Sequence, residues 1–422
     1  MSSLIVTAPA SGSGKTTVTL GLLRAYARRG EKISGAKSGP DYIDPRFHEA
    51  ACGAPCLNLD TWAMSESRIR SLAAGEDTLI VEGAMGLFDG APPDGRGSSS
   101  DLARLLGLPV LLVVDAGRMS QSVAALVQGF LNHDPSLRFA GIVLNRVGSP
   151  RHDALLRQAL ATLPVPVLGS IPRRADLAHP SRHLGLVQAG ERADLDRFIE
   201  ATADLVEAHI DLDALGTAMT RAAPRPATAA NRFPPPGQII AMAGDKAFAF
   251  AYPHLLSDWR SAGAEIRPFS PLANDAVPEA DIVILPGGYP ELHAGRLAGN
   301  ATFMDSLRSC TAEIYGECGG YMVLGETLTD ARGTSHRMAG HLKLRTSFAE
   351  RRLHLGYRRV SAQAGPFKGQ FSAHEFHYAT TLSAKGTPLF DATDAEGTKC
   401  PAMGLIQGRV SGSFAHLIDV LP

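Results

Sequence analysis

Five runs in the first half of the chain are apolar almost without interruption: LIVTA from Leu4, TLIVE from Thr78, VLLVVD from Val110, AGIVLN from Ala140 and VPVLGSIP from Val165. Continuous rather than alternating hydrophobicity predicts strands buried on both faces, hence a parallel sheet covered by helices. Between the first two runs, Val18, Leu22, Ala25 and Tyr26 recur at helical spacing, and Gly30 is placed to end that helix. The pattern breaks from Arg221 to Gly237, RAAPRPATAANRFPPPG, where five prolines exclude regular structure. It restarts with QIIAMA from Gln238, AEIRPF from Ala264, DIVILPGG from Asp281 and AEIYGECGG from Ala312. The expectation is an α/β chain of two parallel-sheet domains, residues 1–220 and 238–422, joined by a linker over 221–237.

Composition changes this picture little. The 422 residues are ample for two hydrophobic cores, and 41 basic against 42 acidic side chains give no excess suited to nucleic acid. No run approaches the ~20 apolar residues of a membrane span, and the N-terminal stretch MSSLIVTAPASGSGK lacks a basic segment of the signal-peptide kind. The five cysteines form no CxxC pair, so no zinc knuckle or disulfide framework is implied, and a reducing cytoplasm is expected.

The chemistry begins after the first strand, where APASGSGKTT leads into the first helix. Backbone N–H groups of Ser11, Gly12, Ser13 and Gly14 can face phosphate oxygens, Lys15 adds a cation, Thr16 offers a hydroxyl to magnesium, and Thr17 continues the helix start. Pro9 stands where the common GxxxxGKS/T pattern has its first glycine, so the loop is a variant. Two acidic segments are expected beside it: AKSGPDYIDP with Lys37, Asp41, Tyr42 and Asp44, and LIVEGAMGLFDG with Glu82 and Asp89. Carboxylates at the C-terminal ends of parallel strands share the crevice with the phosphate loop. Glu82, directly after an apolar strand, is costly to bury without a partner and is read as a metal ligand. Asn145, which ends the strand AGIVLN, suits an adenine edge or a turn equally well.

In the second half, Gly316-Glu317-Cys318-Gly319-Gly320 sits between a strand and a helical segment, forming a nucleophile elbow with cysteine in place of serine. The helix N-terminus is expected to lower the thiol pKa, with Gly319, Gly287 and Gly288 offering backbone N–H groups to an oxyanion. The thiol needs a base, and His374, His377 and His416 are candidates that spacing does not separate.

The segments APASGSGKTT, SGPDYIDP, EGAMGLFDG, VVDAGRMSQS, LNRVGS, HLGLV, LPGGYPELH, YGECGGYMVLGE, TSFAERRLHLGYR, AHEFHYA and GSFAHLI, in this order, resemble the cobyrinic and hydrogenobyrinic acid a,c-diamide synthase family over nearly the whole chain. The resemblance implies a dethiobiotin synthetase-like ATP domain followed by a class I glutamine amidotransferase domain. It further implies Cys318 as nucleophile and His416 as base; magnesium on Thr16, Asp41 and Glu82; phosphate contacts from Lys15 and Lys37; adenine at Asn145; and substrate near Tyr42, Asp44 and Asp89. The wider class I family carries a triad glutamate two residues after its histidine. Ile418 stands there instead, which leaves Glu317 and Glu375 as substitutes.

The implied reaction is ligation. A corrin carboxylate is phosphorylated by ATP, and ammonia freed from glutamine displaces the phosphate. Both intermediates must be kept from water, so an enclosed path between the sites is expected. RTSFAERRLHLGYRR, Arg345 to Arg359, offers either a polyanion contact or a solvated basic face. The partners expected are small molecules, with neither nucleic acid nor membrane, and a homodimer is one assembly the sequence leaves open. Nickel-sirohydrochlorin a,c-diamide synthase and cobyric acid synthase share both domains. A partitioning-type nucleotide switch shares only the first, and it leaves Cys318, Gly287 and Gly288 without a purpose.

Overall fold

The structure, a computed structural model, describes residues 2–75, 77–174, 181–182, 185–186, 188–221 and 232–421. The backbone divides into two compact units, Met1–Ala230 and Asn231–Pro422.

In the first unit the strands are β1 (Ser2–Thr7), β2 (Ile33–Ser38), β3 (Leu57–Leu59), β4 (Thr78–Glu82), β5 (Val110–Asp115), β6 (Phe139–Val147) and β7 (Val167–Pro172). The helices are α1 (Lys15–Arg28), α2 (Asp44–Cys52), α3 (Glu66–Leu72), α4 (Ser99–Leu106), α5 (Ser122–His133), α6 (Pro150–Leu160), α7 (Leu195–His209) and α8 (Leu212–Ala218). The main sheet runs β3-β2-β4-β1-β5-β6-β7, and every neighbouring pair along that path is parallel. Ser181–Arg182 and Gly185–Leu186 pair as a short β8–β9 ribbon, and β10 (Thr220–Arg221) lies antiparallel on the start of β1. Leu4, Ile5, Val6 and the whole run Val110–Val114 are fully buried, as expected of strands covered on both faces. From β1 the chain moves first toward β2 and then across to β5, so the order reverses beside β1. Such a reversal opens a crevice at the carboxyl ends of the strands.

In the second unit the strands begin with β11 (Ile239–Ala243), β12 (Glu265–Phe269), β13 (Ile282–Leu285) and β14 (Glu313–Glu317), and the helices are α9 (Pro253–Ser261), α10 (Ala294–Gly299), α11 (Ala301–Ser309) and α12 (Gly319–Leu324). There follow β15 (Thr327–Thr329), β16 (Ser335–Arg337), β17 (Lys343–Ser347), β18 (His354–Ala362), β19 (Gly369–His377), β20 (Thr380–Lys385) and β21 (Asp391–Asp394). The last three are β22 (Leu405–Gln407), β23 (Val410–Ser413) and β24 (Ala415–Val420). The main sheet, β12-β11-β13-β14-β23-β22, is parallel except for β22. Two further four-stranded sheets, β16-β15-β17-β20 and β21-β18-β19-β24, are mostly antiparallel additions that apolar runs do not announce. Their strands, such as KLRTS and HLGYRRVSA, have one exposed face and carry arginines and lysines.

Of the proline-rich segment 221–237, residues 222–231 lie outside the described ones. Phe233, by contrast, is buried against Trp259, Phe367 and Phe371 and belongs to the core of the second unit. Arg358, in the basic stretch, turns inward to Glu375 at 2.7 Å, while Arg345 stays exposed.

Candidate functional site

The phosphate loop bridges β1 and α1. Gly12 and Gly14 hold φ at 77° and 98°, a left-handed conformation that a side chain would strain, so the loop can turn its N–H groups inward. At Gly14 an added Cβ would also lie 2.0 Å from Nδ2 of Asn145. The Lys15 ammonium donates to the Met85 carbonyl at 2.5 Å and reaches the Ala10 carbonyl at 3.4 Å. Burial, more than any neighbouring charge, lowers its pKa. A cavity of about 540 Å³ opens over this loop and is also lined by Lys37, Asp41, Asp44, Glu82 and Asn145, a size within the ordinary range for small-molecule sites.

The acidic residues form one network. Glu82, 1% exposed, accepts from the Thr16 hydroxyl at 2.7 Å and from Lys37 at 2.9 Å on one oxygen, and its other oxygen lies 2.7 Å from Nε2 of His48. Lys37 also reaches Asp44 at 2.6 Å and Asp41 at 3.7 Å. Burial alone would raise Glu82, but Lys37 and His48 outweigh it and hold the carboxyl well below its usual range. Burial likewise opposes the Lys37 charge, yet Asp44, Glu82 and Asp41 keep it well above the ordinary lysine value. Asp41 differs: burial and the Asp44 charge push it up to about 7, against Lys37 and the N–H groups of Ile43 and Asp44. A hydroxyl and two carboxylates, from Thr16, Asp41 and Glu82, facing this cavity make a hard oxygen set that suits magnesium.

The remaining predicted residues are placed less simply. Asn145 donates to the Ser13 carbonyl at 2.8 Å and accepts from the Arg146 N–H at 2.9 Å, so in this structure it braces the phosphate loop at the cavity edge. Asp89 accepts from the Gly86 N–H at 2.9 Å and closes a turn, and Tyr42 is buried. Neither lines the cavity. His48 was not singled out by sequence reasoning, although it lies four residues after Asp44 on α2, on the same helical face.

In the second unit Cys318 follows β14 directly and has φ 45° and ψ −99°, the strained elbow expected of a nucleophile. Its N–H donates to the Ser413 carbonyl at 2.8 Å, which ties the elbow to β23. The thiol does not behave as the sequence suggests. Burial pushes its pKa well above the ordinary value and Glu291 adds to this, opposed by the Gly319 N–H. The helix behind it, α12, is only six residues long, and the Gly319 N–H at its start opposes the burial without overcoming it. Cys318 is therefore a thiol that needs a base.

His416, on β24, is fully buried, and burial together with His374 and His377 lowers it to about 3, so the ring is a neutral acceptor. It packs on the loop after β13, since a Cβ on Gly287 would fall 2.2 Å from its Cε1. On the next residue, Gly288, the backbone nitrogen would lie 3.0 Å from a Cβ on Gly319. Histidine and elbow thus meet the same two-glycine strip. His377 is engaged elsewhere: its Nε2 is 3.1 Å from Glu375, and its ring stacks between Phe414 and His354. His374 lies opposite His416 in the β19–β24 register. His354, Glu375 and His377 cluster closely, but the Glu375 charge is already met by Arg358.

Residues 4–187 match the CobQ/CobB/MinD/ParA nucleotide binding domain, and residues 239–419 match the CobB/CobQ-like glutamine amidotransferase domain. The chain is 55% identical to hydrogenobyrinate a,c-diamide synthase of Brucella anthropi, with 99% of each chain covered. It is 54% identical to that of a Sinorhizobium species (100% of this chain, 99% of the other) and 52% identical to that of Rhodobacter capsulatus (98% of each). On this identity, held over both units, the chain belongs to the hydrogenobyrinate a,c-diamide synthase family.

Proposed function

We propose that this chain is a ligase that converts the a and c side-chain carboxylates of hydrogenobyrinic acid to amides in cobalamin biosynthesis, with glutamine as nitrogen donor and ATP as activator. The observation that carries this is full-length likeness, across both units, to enzymes named for that reaction. Cobyrinic acid, with cobalt already in the corrin, is the substrate to be compared with it.

In the amidotransferase unit, the Cys318 sulfur attacks the glutamine amide carbon while its proton passes to His416. The N–H of Gly319 and those of Gly287 and Gly288 receive the oxyanion. Collapse expels ammonia, protonated by His416, and water activated by the same ring hydrolyses the thioester to glutamate. In the other unit the Ser11–Thr17 loop and Lys15 bind the triphosphate, and Lys37, kept charged by its carboxylate neighbours, faces the γ-phosphoryl. Thr16, Asp41 and Glu82 would hold magnesium, which when bound supplies charge neutralisation of the phosphates. The substrate carboxylate attacks the γ-phosphorus, and the acyl phosphate then yields to ammonia with release of phosphate.

The reading is tested by incubating purified protein with glutamine, ATP and magnesium, and with either corrin acid, and following carboxylate-to-amide conversion by mass spectrometry. Two successive conversions are expected. Turnover of nickel-sirohydrochlorin with neither corrin acid converted would overturn the substrate, and ATP- and glutamine-independent behaviour would overturn the reaction. Five cysteines without a disulfide among the described residues, together with ATP use, fit a cytoplasmic enzyme.

A further inference from the structure

A buried, neutral histidine has two tautomers, and only the one with the proton on Nδ1 leaves Nε2 open to take a thiol proton. Something must hold that proton, and Ile418, fully buried and apolar, stands where the class I glutamate would be. Three other carboxylates act on this site. Glu375 is committed to Arg358 at 2.7 Å and to His377 at 3.1 Å. Glu291 acts on the thiol, where its charge disfavours ionisation. Glu317, the residue before the nucleophile, has a side chain only 13% exposed. One of its oxygens accepts from the Leu417 N–H at 3.1 Å, and the other lies 3.8 Å from Nδ1 of His416. It thus grips β24 at the residue next to the base and faces the base itself.

We propose that Glu317 is the positioning residue for His416, holding the Nδ1–H tautomer, so that nucleophile and orienting carboxylate are sequence neighbours at the end of β14. This rests on His416 being the base. At 3.8 Å the contact is longer than a hydrogen bond and tightens when His416 gains charge, as catalytic contacts do on substrate binding. The proton balance is simple: Sγ–H passes its proton to Nε2, giving a thiolate and an imidazolium whose Nδ1–H donates to Glu317. Burial pushes Glu317 up to about 8, with the Leu417 N–H and the Tyr315 phenol opposing. The titratable groups around this site are Tyr315 and Cys318 beside Glu317, His374, Glu375 and His377 on β19, Glu291 after β13, and His416 itself. Because the ionised carboxylate is the working form, it accumulates as pH rises, and glutaminase kcat/KM should climb through about pH 8.

Glu317→Gln keeps the shape and an acceptor for Leu417 but removes the charge. Glutaminase kcat should fall by about 10- to 10⁴-fold, the span between a lost supporting contact and a wrong tautomer, with KM for glutamine nearly unchanged. The rise through pH 8 should vanish. The double variant with His416→Ala should be no slower than His416→Ala alone, since Glu317 acts through that ring. A Glu317→Gln enzyme with wild-type kcat and pH profile, or an additive double variant, would overturn the proposal while leaving the base intact. A His416→Ala enzyme with full activity would instead overturn the base assignment beneath it. Should Glu317→Gln fail to fold, ¹⁵N NMR of histidine-labelled wild type decides: Nδ1–H on His416 supports the proposal, and Nε2–H refutes it.

Discussion

Glu82→Gln removes one charge from the centre of the nucleotide site with almost no change of shape. The side chain is 1% exposed and has three partners: Thr16 at 2.7 Å, Lys37 at 2.9 Å and His48 at 2.7 Å. Breaking a buried ion pair outright costs about 3–5 kcal/mol. Here Lys37 keeps Asp44 at 2.6 Å, so the loss is closer to that of one hydrogen bond to a charged group, about 1.5–3 kcal/mol. For a unit of this size each kcal/mol moves Tm by about 2–4 °C, so a fall of roughly 3–12 °C is expected and the protein should remain folded at assay temperature. The effect on activity should be larger. Outer residues of a metal site typically cost 10- to 100-fold when lost, so if Glu82 holds magnesium as proposed, its loss should cost more than about 100-fold in ATP-dependent amidation. The assay is paired on one preparation: amide formation from ammonium, and glutamate release from glutamine. The first should collapse and the second survive at least in part, because Cys318 chemistry uses no nucleotide. Normal ammonium-driven amidation would remove Glu82 from the site, and loss of both activities in folded protein would refute the division of labour between the units.

Cys318→Ala should abolish glutamine-supported amidation and keep amidation from high ammonium, measured by corrin amide formation with each nitrogen source. His416→Ala should lower glutaminase turnover by ~10² to 10⁴, and far more than His377→Ala, whose ring is committed to Glu375 and Phe414; steady-state glutamate release checks the ranking. Gly287→Ala would set a methyl 2.2 Å from Cε1 of His416, so the ring must move, and a shift near 1 Å typically costs ~10²-fold; glutaminase activity should fall accordingly while ammonium-driven amidation persists.

What could be read from the sequence was whatever is local in the chain. The phosphate loop follows the apolar run Leu4–Val6, the elbow follows the short strand Glu313–Glu317 with its buried Ile314 and Tyr315, each precedes a helix, and the structure has both at strand ends. β2 was not legible because ISGAKS is too polar to look buried, although Lys37 within it is 4% exposed; its charge is made tolerable by Asp44 and Glu82, which no window on the sequence shows together. His48 was hidden for the same reason, its partner Glu82 lying 34 residues away. The antiparallel sheets of the second unit carry alternating, half-exposed strands, and with them went the placement of His374, His377 and His416, whose relation depends on the β19–β24 register. The thiol pKa was misjudged because sequence shows that a helix follows Cys318 but not how short or how buried the corner is.

Glu82 and Glu317 make the physical point in one comparison. Each ends or nearly ends a parallel strand, each is largely buried, and each lies beside a histidine, yet burial decides the outcome in only one. Glu82 has the Lys37 ammonium at 2.9 Å, which with His48 holds its pKa well below the usual carboxylate range, so it is charged at neutral pH. Among the described residues Glu317 has no such cation to offset its burial; the Leu417 N–H and the Tyr315 phenol oppose it in part, and its pKa rises to about 8. A permanent carboxylate suits a metal ligand, which must be charged before the nucleotide arrives. A carboxylate that ionises only as pH rises toward 8 instead sets the pH above which it can hold the Nδ1–H of a histidine that is neutral at rest and charged only during turnover. Supplying Glu317 with a fixed cation should therefore depress its pKa and strip the rise through pH 8 from the glutaminase profile. Leu417→Lys, at the residue whose N–H it accepts, is the variant to try, with the pH dependence of kcat/KM as readout; an unchanged profile in folded protein would show that the charge on Glu317 is not what sets it.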